Sequence, residues 1–145
     1  MRKIKVVTGK ISLDDHFRGI ISVTQAMRNA GMEVVYLGTG QRIDGVINSI
    51  IQEDAEVVGL SFLCGGQVEI MRRFMGKMHD SGLDDVVVVV GGIIHTHEVP
   101  LLKDLGVKGI FLPGTSLTNI TDFVIQTVKE QRQAREAGKK RSSAI

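Results

Sequence analysis

The segment VVVVVGG, residues 86–92, decides the fold class of this chain of 145 residues. Five consecutive valines without polar alternation are typical of a β-strand that is covered on both faces. Strands of this kind occur almost only in parallel sheets with helices on either side. The two glycines that follow the valines permit a close approach of backbone or ligand where the strand ends.

Apolar runs of strand length alternate with segments of helical periodicity along the whole chain. Asp44 is expected to cap the second helix, and the methionines of the third helix are expected to lie in the core. The predicted strands are Ile4–Val7, Glu33–Leu37, Val57–Ser61, Val86–Val90 and Gly109–Leu112, and the predicted helices are Ile20–Ala30, a segment from Asp44, Gln67–Ser81, Val99–Leu105 and a last one from Leu117.

This alternation predicts an α/β domain with a doubly wound, five-stranded parallel sheet of the flavodoxin-like type, in the order 2-1-3-4-5. In that order the topological switch lies between strands one and three, and ligands bind beyond the carboxyl ends of the strands. The loops that follow strands one and three, residues 8–18 and 61–66, are therefore the first places to look for a site.

Composition limits the classes of protein to consider. The formal net charge of +2 gives no reason to expect nucleic-acid binding, and no apolar stretch is long enough to span a membrane. The single cysteine, Cys64, excludes an internal disulfide, and we expect a cytoplasmic protein. We place one domain at residues 1–133, followed by a basic, flexible tail at 134–145.

The loop after the first strand carries a candidate metal ligand. Its sequence, KISLDDHFRG over residues 10–19, places Asp14 two positions before His16. A histidine that binds a metal through one ring nitrogen usually donates its other N–H to a carboxylate. Lys10 could balance the charge of Asp14, and Gly19 permits a close approach at the start of the next helix. On these residues alone, a solvated surface pair remains the alternative.

The loops after strands three and four are predicted to reach the same edge of the sheet. Ser61 ends strand three, ahead of Leu63 and of the small residues Cys64–Gly66, and Gly91 and Gly92 end strand four. Three loops that leave room for a ligand at one edge favour a binding site over a surface pair.

Three short motifs thus follow one another at corresponding positions of the predicted sheet: D-x-H-x-x-G at 14–19, S-x-L at 61–63 and G-G at 91–92. The series resembles the signature of cobalamin-binding domains, those of adenosylcobalamin-dependent mutases and of methionine synthase. The similarity extends over roughly residues 3–130. Each motif is weak alone, but all three in this order form a specific pattern.

The resemblance implies that cobalamin binds with its dimethylbenzimidazole base off the cobalt and with His16 as the lower axial ligand. The displaced nucleotide tail would enter a channel between strands one and three, where Ser61 would form a hydrogen bond to the buried base. The cobalt is the only metal implied, and no residue of this chain is expected to be catalytic itself. The residues expected around the cofactor are Lys10, Asp14, Asp15, His16, Phe17, Arg18, Gly19, Ser61, Leu63, Gly65, Gly91, Gly92, Gly114 and Thr115.

The first loop departs from the form that acyl-CoA mutases usually have. Asp15 stands where glycine is usual, and Phe17 stands where an acid is common. Neither change removes a ligand. The additional carboxylate is expected to alter the loop or its affinity, which is consistent with a divergent subgroup.

Within the family, the chain looks most like the small subunit of acyl-CoA mutases. The resemblance rests on the spacing of Val88–Ile94, Leu105–Val107 and Leu112–Thr115. It implies adenosylcobalamin as cofactor and a large TIM-barrel subunit as partner, which would hold the acyl-CoA substrate. The radical chemistry belongs to the cofactor, so this chain is not expected to isomerise substrate alone. Gly65–Glu69 resembles the glutamate-mutase small subunit, and that function and a non-catalytic cobalamin carrier remain alternatives.

Two other interpretations are less favoured. A phosphorylation-switched receiver domain needs an aspartate at the end of strand three, where this chain has Ser61–Cys64. His95, His97 and Glu98 could form a second metal site, but a solvent-facing loop is the simpler explanation of these residues.

Overall fold

The computed structural model describes residues 2–11, 18–62 and 66–143, with side chains described as far as residue 138. The described elements alternate strictly between strand and helix, as predicted. They are β1 (Lys5–Gly9), α1 (Arg18–Asn29), β2 (Glu33–Tyr36), α2 (Ile43–Glu53), β3 (Val57–Phe62), α3 (Gln67–Asp80), β4 (Val87–Gly92), a 3-10 turn (Thr96–Glu98), α4 (Val99–Asp104), β5 (Gly109–Phe111) and α5 (Leu117–Ser143).

The strands form one parallel sheet in the order β2-β1-β3-β4-β5. The predicted fold class and strand order are confirmed. In the register of β3 and β4, Ser61 lies opposite Gly91 and Phe62 lies opposite Gly92. The strand β4 therefore includes both glycines and ends two residues later than the predicted strand.

Helices cover both faces of the sheet, and the valine run contributes to both cores. Val88 and Val90 pack in one core with α2, α3 and α4, whereas Val87 and Val89 pack in the other with α1 and α5. All four side chains are at most 3 % exposed. The sequence pattern of a strand buried on both faces is thus explained by two separate layers of helices.

The third helix contributes its methionines to the core, as predicted. Met71 and Met78 are buried beside Phe74 in the α2–α4 core. Asp44, in contrast, does not cap α2, and that prediction was wrong. The N-cap is Arg42, and Asp44 lies in the first turn, where its carboxylate forms an ion pair with Lys77 of α3. The pairing lowers the pKa of Asp44.

The last helix continues to Ser143, beyond the residue near 135 where its apolar pattern ends. Its buried side chains, among them Val124 and Val128, stop well before that point. The boundary at residue 133 and the flexibility of the segment after it remain predictions.

An ion pair connects α5 to Glu56, the residue before β3, at the amino-terminal ends of the strands. The guanidinium of Arg132 donates two hydrogen bonds to Glu56, from Nε to Oε2 at 2.7 Å and from Nη2 to Oε1 at 2.6 Å. Both side chains are mostly buried, and Arg2 lies 3.5 Å from the same carboxylate. The hydrogen bond from Arg132 holds the pKa of Glu56 below its usual range.

We expect Glu56→Gln to lower the free energy of unfolding by about 2 kcal/mol at neutral pH, because charge-assisted hydrogen bonds are lost. A pKa that is lower in the folded state adds stability above the pKa of the unfolded state, and this stability disappears as the pH falls through the folded-state pKa. Urea denaturation of both proteins between neutral and acid pH should show the difference shrinking in acid. A difference that is independent of pH would contradict this account.

Candidate functional site

Some of the predicted site residues lie in segments that the structure describes, and the others lie outside those segments. Lys10, Arg18, Gly19, Ser61, Gly91, Gly92, Gly114 and Thr115 are described. Asp14, Asp15, His16 and Phe17 of the first loop, and Leu63 and Gly65 of the second, lie outside the described residues. The geometry of the site is therefore built from the ends of the strands and from the helices that cover them.

A cavity of about 320 Å³ lies between the carboxyl-terminal half of the sheet and helices α1 and α5. It brings together six of the eight described residues that the sequence predicts for the site: Gly19, Ser61, Gly91, Gly92, Gly114 and Thr115. Arg18 is exposed, and neither it nor Lys10 is among the lining residues. Most of the remaining lining is apolar and includes Val23, Met27, Val89 and Phe111.

Small residues on one face of the sheet create this cavity. In β3, the residues Leu60 and Phe62 fill the core on the α2–α4 side, whereas Gly59 and Ser61 line the cavity on the opposite side. Gly91 continues the row of small residues in the neighbouring strand. The helices α1 and α5 consequently cover a depression in the sheet instead of packing against large side chains.

The cavity lies over β3 and β4, one strand away from the channel between strands one and three that the sequence predicts. The reason is visible in β1, where Thr8 is fully buried and its hydroxyl lies 2.8 Å from that of Thr24 in α1. A Cβ atom added to Gly59 would lie 3.5 Å from the methyl group of Thr8. The space beside β1 is thus occupied by the Thr8–Thr24 pair.

The two adjacent glycines at the end of β4 have different roles. Gly92 has a φ of +119°, and a Cβ atom at this position would lie 1.7 Å from the carbonyl oxygen of Phe62. A Cβ atom on Gly91 would lie 3.4 Å from the carbonyl oxygen of Phe111, which is ordinary contact. Gly92 is therefore required by the backbone, whereas Gly91 keeps the cavity open.

Lys10 lies directly after β1 and is 1 % exposed. Its backbone is anchored to the loop after β2, because its N–H donates to Gly38 and its carbonyl accepts from Gln41. A buried ammonium group is stable only where polar or acidic groups compensate its charge. Lys10 is also the first residue of the candidate ligand loop, residues 10–19.

The histidine pair after β4 does not form a metal site with other described residues. His95 and His97 are exposed, and their rings stack with centroids 5.6 Å apart. The carboxylate of Glu98 accepts a hydrogen bond from the backbone N–H of His95. Within residues 2–11, 18–62 and 66–143, no three His, Cys, Asp or Glu side chains are grouped closely enough to hold a metal ion.

Several residues around the site were not predicted from the sequence. Met27, Phe111 and Leu117 line the cavity, and Gln67 is buried at the start of α3. Met27 belongs to α1 and Phe111 to β5. They could have been identified only from the tertiary packing that brings both side chains to the same cavity. Gln67 had a local signal, since it is a polar residue at the first position of an otherwise amphipathic helix.

Solved structures support the fold. The chain superposes on a cobalamin-binding protein from Desulfitobacterium hafniense with a TM-score of 0.75 and 20 % identity, covering 87 % of this chain and 60 % of that one. It also superposes on the monomethylamine corrinoid protein of Methanosarcina barkeri, with a TM-score of 0.72 and 17 % identity over 84 % of this chain and 57 % of that one. A signal receiver domain from Vibrio parahaemolyticus gives a TM-score of 0.73 at 9 % identity, with coverage of 94 % and 98 %. Structural likeness therefore identifies the fold and does not distinguish cobalamin binding from phosphorylation signalling.

Sequence comparison makes that distinction. The chain is 34 % identical over 121 residues to the 2-hydroxyisobutanoyl-CoA mutase small subunit of Aquincola tertiaricarbonis, covering 83 % of this chain and 89 % of the relative. It is 37 % identical over 134 residues to the pivalyl-CoA mutase small subunit of Xanthobacter autotrophicus, covering 92 % and 90 %. The family model for the B12 binding domain matches residues 4–120. The chain belongs to the family of B12-binding domains.

Proposed function

We propose that this chain is the cobalamin-binding small subunit of an adenosylcobalamin-dependent acyl-CoA mutase. The observation that carries the proposal is the cavity over β3 and β4, which lies at the edge of the sheet where the Asp14–His16 loop begins. Both small-subunit relatives are named for mutases of acyl-CoA esters, which favours this substrate class over glutamate. The finer choice of acyl group belongs to the partner subunit.

The cavity suits the nucleotide tail of cobalamin. Its volume of about 320 Å³ falls in the range of small-molecule sites, roughly 300–1,000 Å³. Its largely apolar lining matches the flat dimethylbenzimidazole ring, and the hydroxyl of Ser61 offers a hydrogen bond to a ring nitrogen. Gly91 leaves space for the ring against the sheet. A ring bound in this cavity would not be available to the cobalt, and a residue of the chain would then serve as the cobalt ligand.

His16 is the residue we propose as that ligand, with Asp14 holding its second ring nitrogen. Lys10 is buried, and a buried ammonium group is stable only beside polar or acidic groups, a role that an acid of this loop could share. Asp14 and Asp15 follow Lys10 within five residues. An Asp14 carboxylate that is oriented by Lys10 would fix the tautomer of His16 and make it a stronger ligand.

A larger subunit is required to complete the enzyme. When bound, the cofactor supplies radical chemistry through its cobalt–carbon bond, and the protein provides orientation and exclusion of water. In this chain, His16 would hold the cobalt, and Ser61 and Gly91 would hold the tail. We propose that a TIM-barrel subunit binds the acyl-CoA and covers the upper face. No helix in the described part of the chain is long and apolar enough to cross a membrane.

The test is a titration of the purified chain with adenosylcobalamin, monitored by absorption, without and with a large mutase subunit. We expect the spectrum of base-off, histidine-ligated cobalamin, and isomerisation of an acyl-CoA only in the presence of both subunits. Absence of any spectral change in both experiments would refute the proposal. A spectral change without isomerase activity with any acyl-CoA mutase subunit would favour the carrier function instead.

The cavity can be tested separately from the cobalt site. We expect Gly91→Val to lower the affinity for cobalamin at least about tenfold, because added methyl groups in a fitted pocket change binding by roughly 1–3 kcal/mol. Affinity for cobinamide, which lacks the nucleotide tail, should be unchanged. Equilibrium binding of the two corrinoids to both proteins measures the difference.

Gly76→Val is the matched control, since a Cβ atom at Gly76 of α3 has no neighbour within 4 Å and this glycine does not line the cavity. It should bind both corrinoids like the wild type. An equal loss of cobalamin and cobinamide binding in Gly91→Val would show that the cavity does not hold the tail.

A further inference from the structure

The side chain of Gln67 leaves one buried polar atom without a hydrogen bond. Gln67 is the first residue of α3 and is 1 % exposed. Its Nε2 donates to the carbonyl oxygen of Ile93 at 3.0 Å. Its Oε1 is the one buried side-chain nitrogen or oxygen atom, among the described residues, that has no hydrogen-bond partner. An unsatisfied buried polar atom is unfavourable and calls for an explanation.

The contacts of Gln67 connect the carboxyl ends of β3 and β4, the strands that contain Ser61 and the Gly-Gly motif. Ile93, the residue after Gly92, donates its backbone N–H to the carbonyl of Phe62 at 3.1 Å and accepts the hydrogen bond of Gln67. Phe62 and Gln67 lie on either side of the loop at 63–66. The backbone of Ile93 is therefore hydrogen-bonded to the residue before this segment, Phe62, and to the residue after it, Gln67.

A fold that needed only stability would not retain glutamine here. A methionine of similar length would fill the same space without leaving Oε1 unsatisfied. The carbonyl of Ile93 would lose its donor, but the buried Oε1 would no longer be left unsatisfied, so the two effects on stability oppose each other. Residues that suit their local environment poorly are expected mainly at functional sites.

We infer that Gln67 is a positioning residue for the cofactor: its amide holds the Gly91–Gly92 end of β4 against the start of α3, which fixes the mouth of the tail cavity. This inference rests on the proposed cobalamin function. Gln67 lies outside the cavity lining, so it acts through Ile93 and Gly92 and not by contact with the tail. Its effect should appear in cofactor affinity and not in folding.

The test compares wild type, Gln67→Met and Gln67→His in cobalamin affinity and in thermal unfolding. We expect Gln67→Met to melt at the same temperature as wild type or higher, and to bind cobalamin about tenfold more weakly, as is common when a residue that supports a metal cofactor is removed. Gln67→His keeps an N–H donor and should recover most of the affinity. Gln131→Met, the same change at the opposite edge of the sheet where Gln131 contacts Asp85, should bind like wild type.

Each outcome decides the matter. Wild-type affinity in Gln67→Met, or a loss of affinity that is accompanied by a matching loss of stability, would overturn the positioning role while leaving the proposed function intact. Failure of the wild-type chain to bind cobalamin, alone or with a large subunit, would overturn the proposed function and this inference together.

Discussion

Replacement of Gly92 by alanine is expected to lower the free energy of unfolding by about 3 kcal/mol or more, or to prevent folding altogether. Two effects add in this variant. The backbone at Gly92 has a φ of +119°, which L-residues rarely adopt, and the new Cβ atom would lie 1.7 Å from the carbonyl oxygen of Phe62. That carbonyl also accepts a hydrogen bond from the backbone N–H of Ile93. It cannot move away without breaking this bond, which lies at the end of the β3–β4 pairing.

The neighbouring glycine provides the control. In Gly91→Ala the Cβ atom would lie 3.4 Å from the nearest backbone atom, and no positive φ is involved, so the stability should change by less than about 1 kcal/mol. Urea denaturation monitored by circular dichroism measures both variants. Equal stability of the two would contradict the close approach of Phe62 and Gly92 in the structure.

Replacement of His16 by alanine is expected to abolish the histidine-ligated spectrum and to weaken cobalamin binding by about 100-fold or more, since loss of a ligand should exceed the 10–100-fold effect of losing a supporting residue. The reason is that, under the proposed function, the dimethylbenzimidazole would occupy the cavity and His16 is the group proposed to take its place on the cobalt. Absorption titration with adenosylcobalamin measures the change. The fold should be unaffected, because His16 belongs to neither of the two described hydrophobic cores.

His79→Ala is the control for this substitution. His79 is exposed on α3 and forms a hydrogen bond with Asp84, well separated in the fold from the loop that follows β1. Its loss should leave the spectrum and the affinity unchanged. A normal titration by His16→Ala would refute the assignment of the cobalt ligand, even if the chain proved to bind cobalamin.

The fold could be predicted from the sequence because its signals are local. The valine run at 86–90 and the alternation with helical segments require a parallel sheet covered on both faces, and the strand order follows from the usual topology of such sheets. The beginning of α2 was misjudged for a tertiary reason. Asp44 has the chemistry of a helix cap, but α2 begins one residue before it, at Ile43, and in the first turn its carboxylate pairs with Lys77 of α3.

The sequence identifies six of the residues that line the cavity but not the shape of the cavity. The sequence presents Gly91 and Gly92 as equivalent, and only the approach of the Phe62 carbonyl distinguishes the residue that the fold requires from the one that the ligand requires. The cavity lies over β3 and β4, whereas the tail channel was expected between strands one and three; the Thr8–Thr24 pair, which depends on how α1 packs on β1, occupies the space beside β1. Contacts between residues distant in sequence determine both features.

The central claim, that His16 replaces dimethylbenzimidazole on the cobalt, is tested most directly by electron paramagnetic resonance. The reduced, paramagnetic cob(II)alamin is bound to protein that is uniformly labelled with nitrogen-15, while the cofactor keeps natural nitrogen. If a protein histidine is the axial ligand, each cobalt line is split into a doublet by the labelled nitrogen, and into a triplet when the protein is unlabelled. A triplet that persists in labelled protein would show that the cofactor's own base remains on the cobalt, and it would contradict the account.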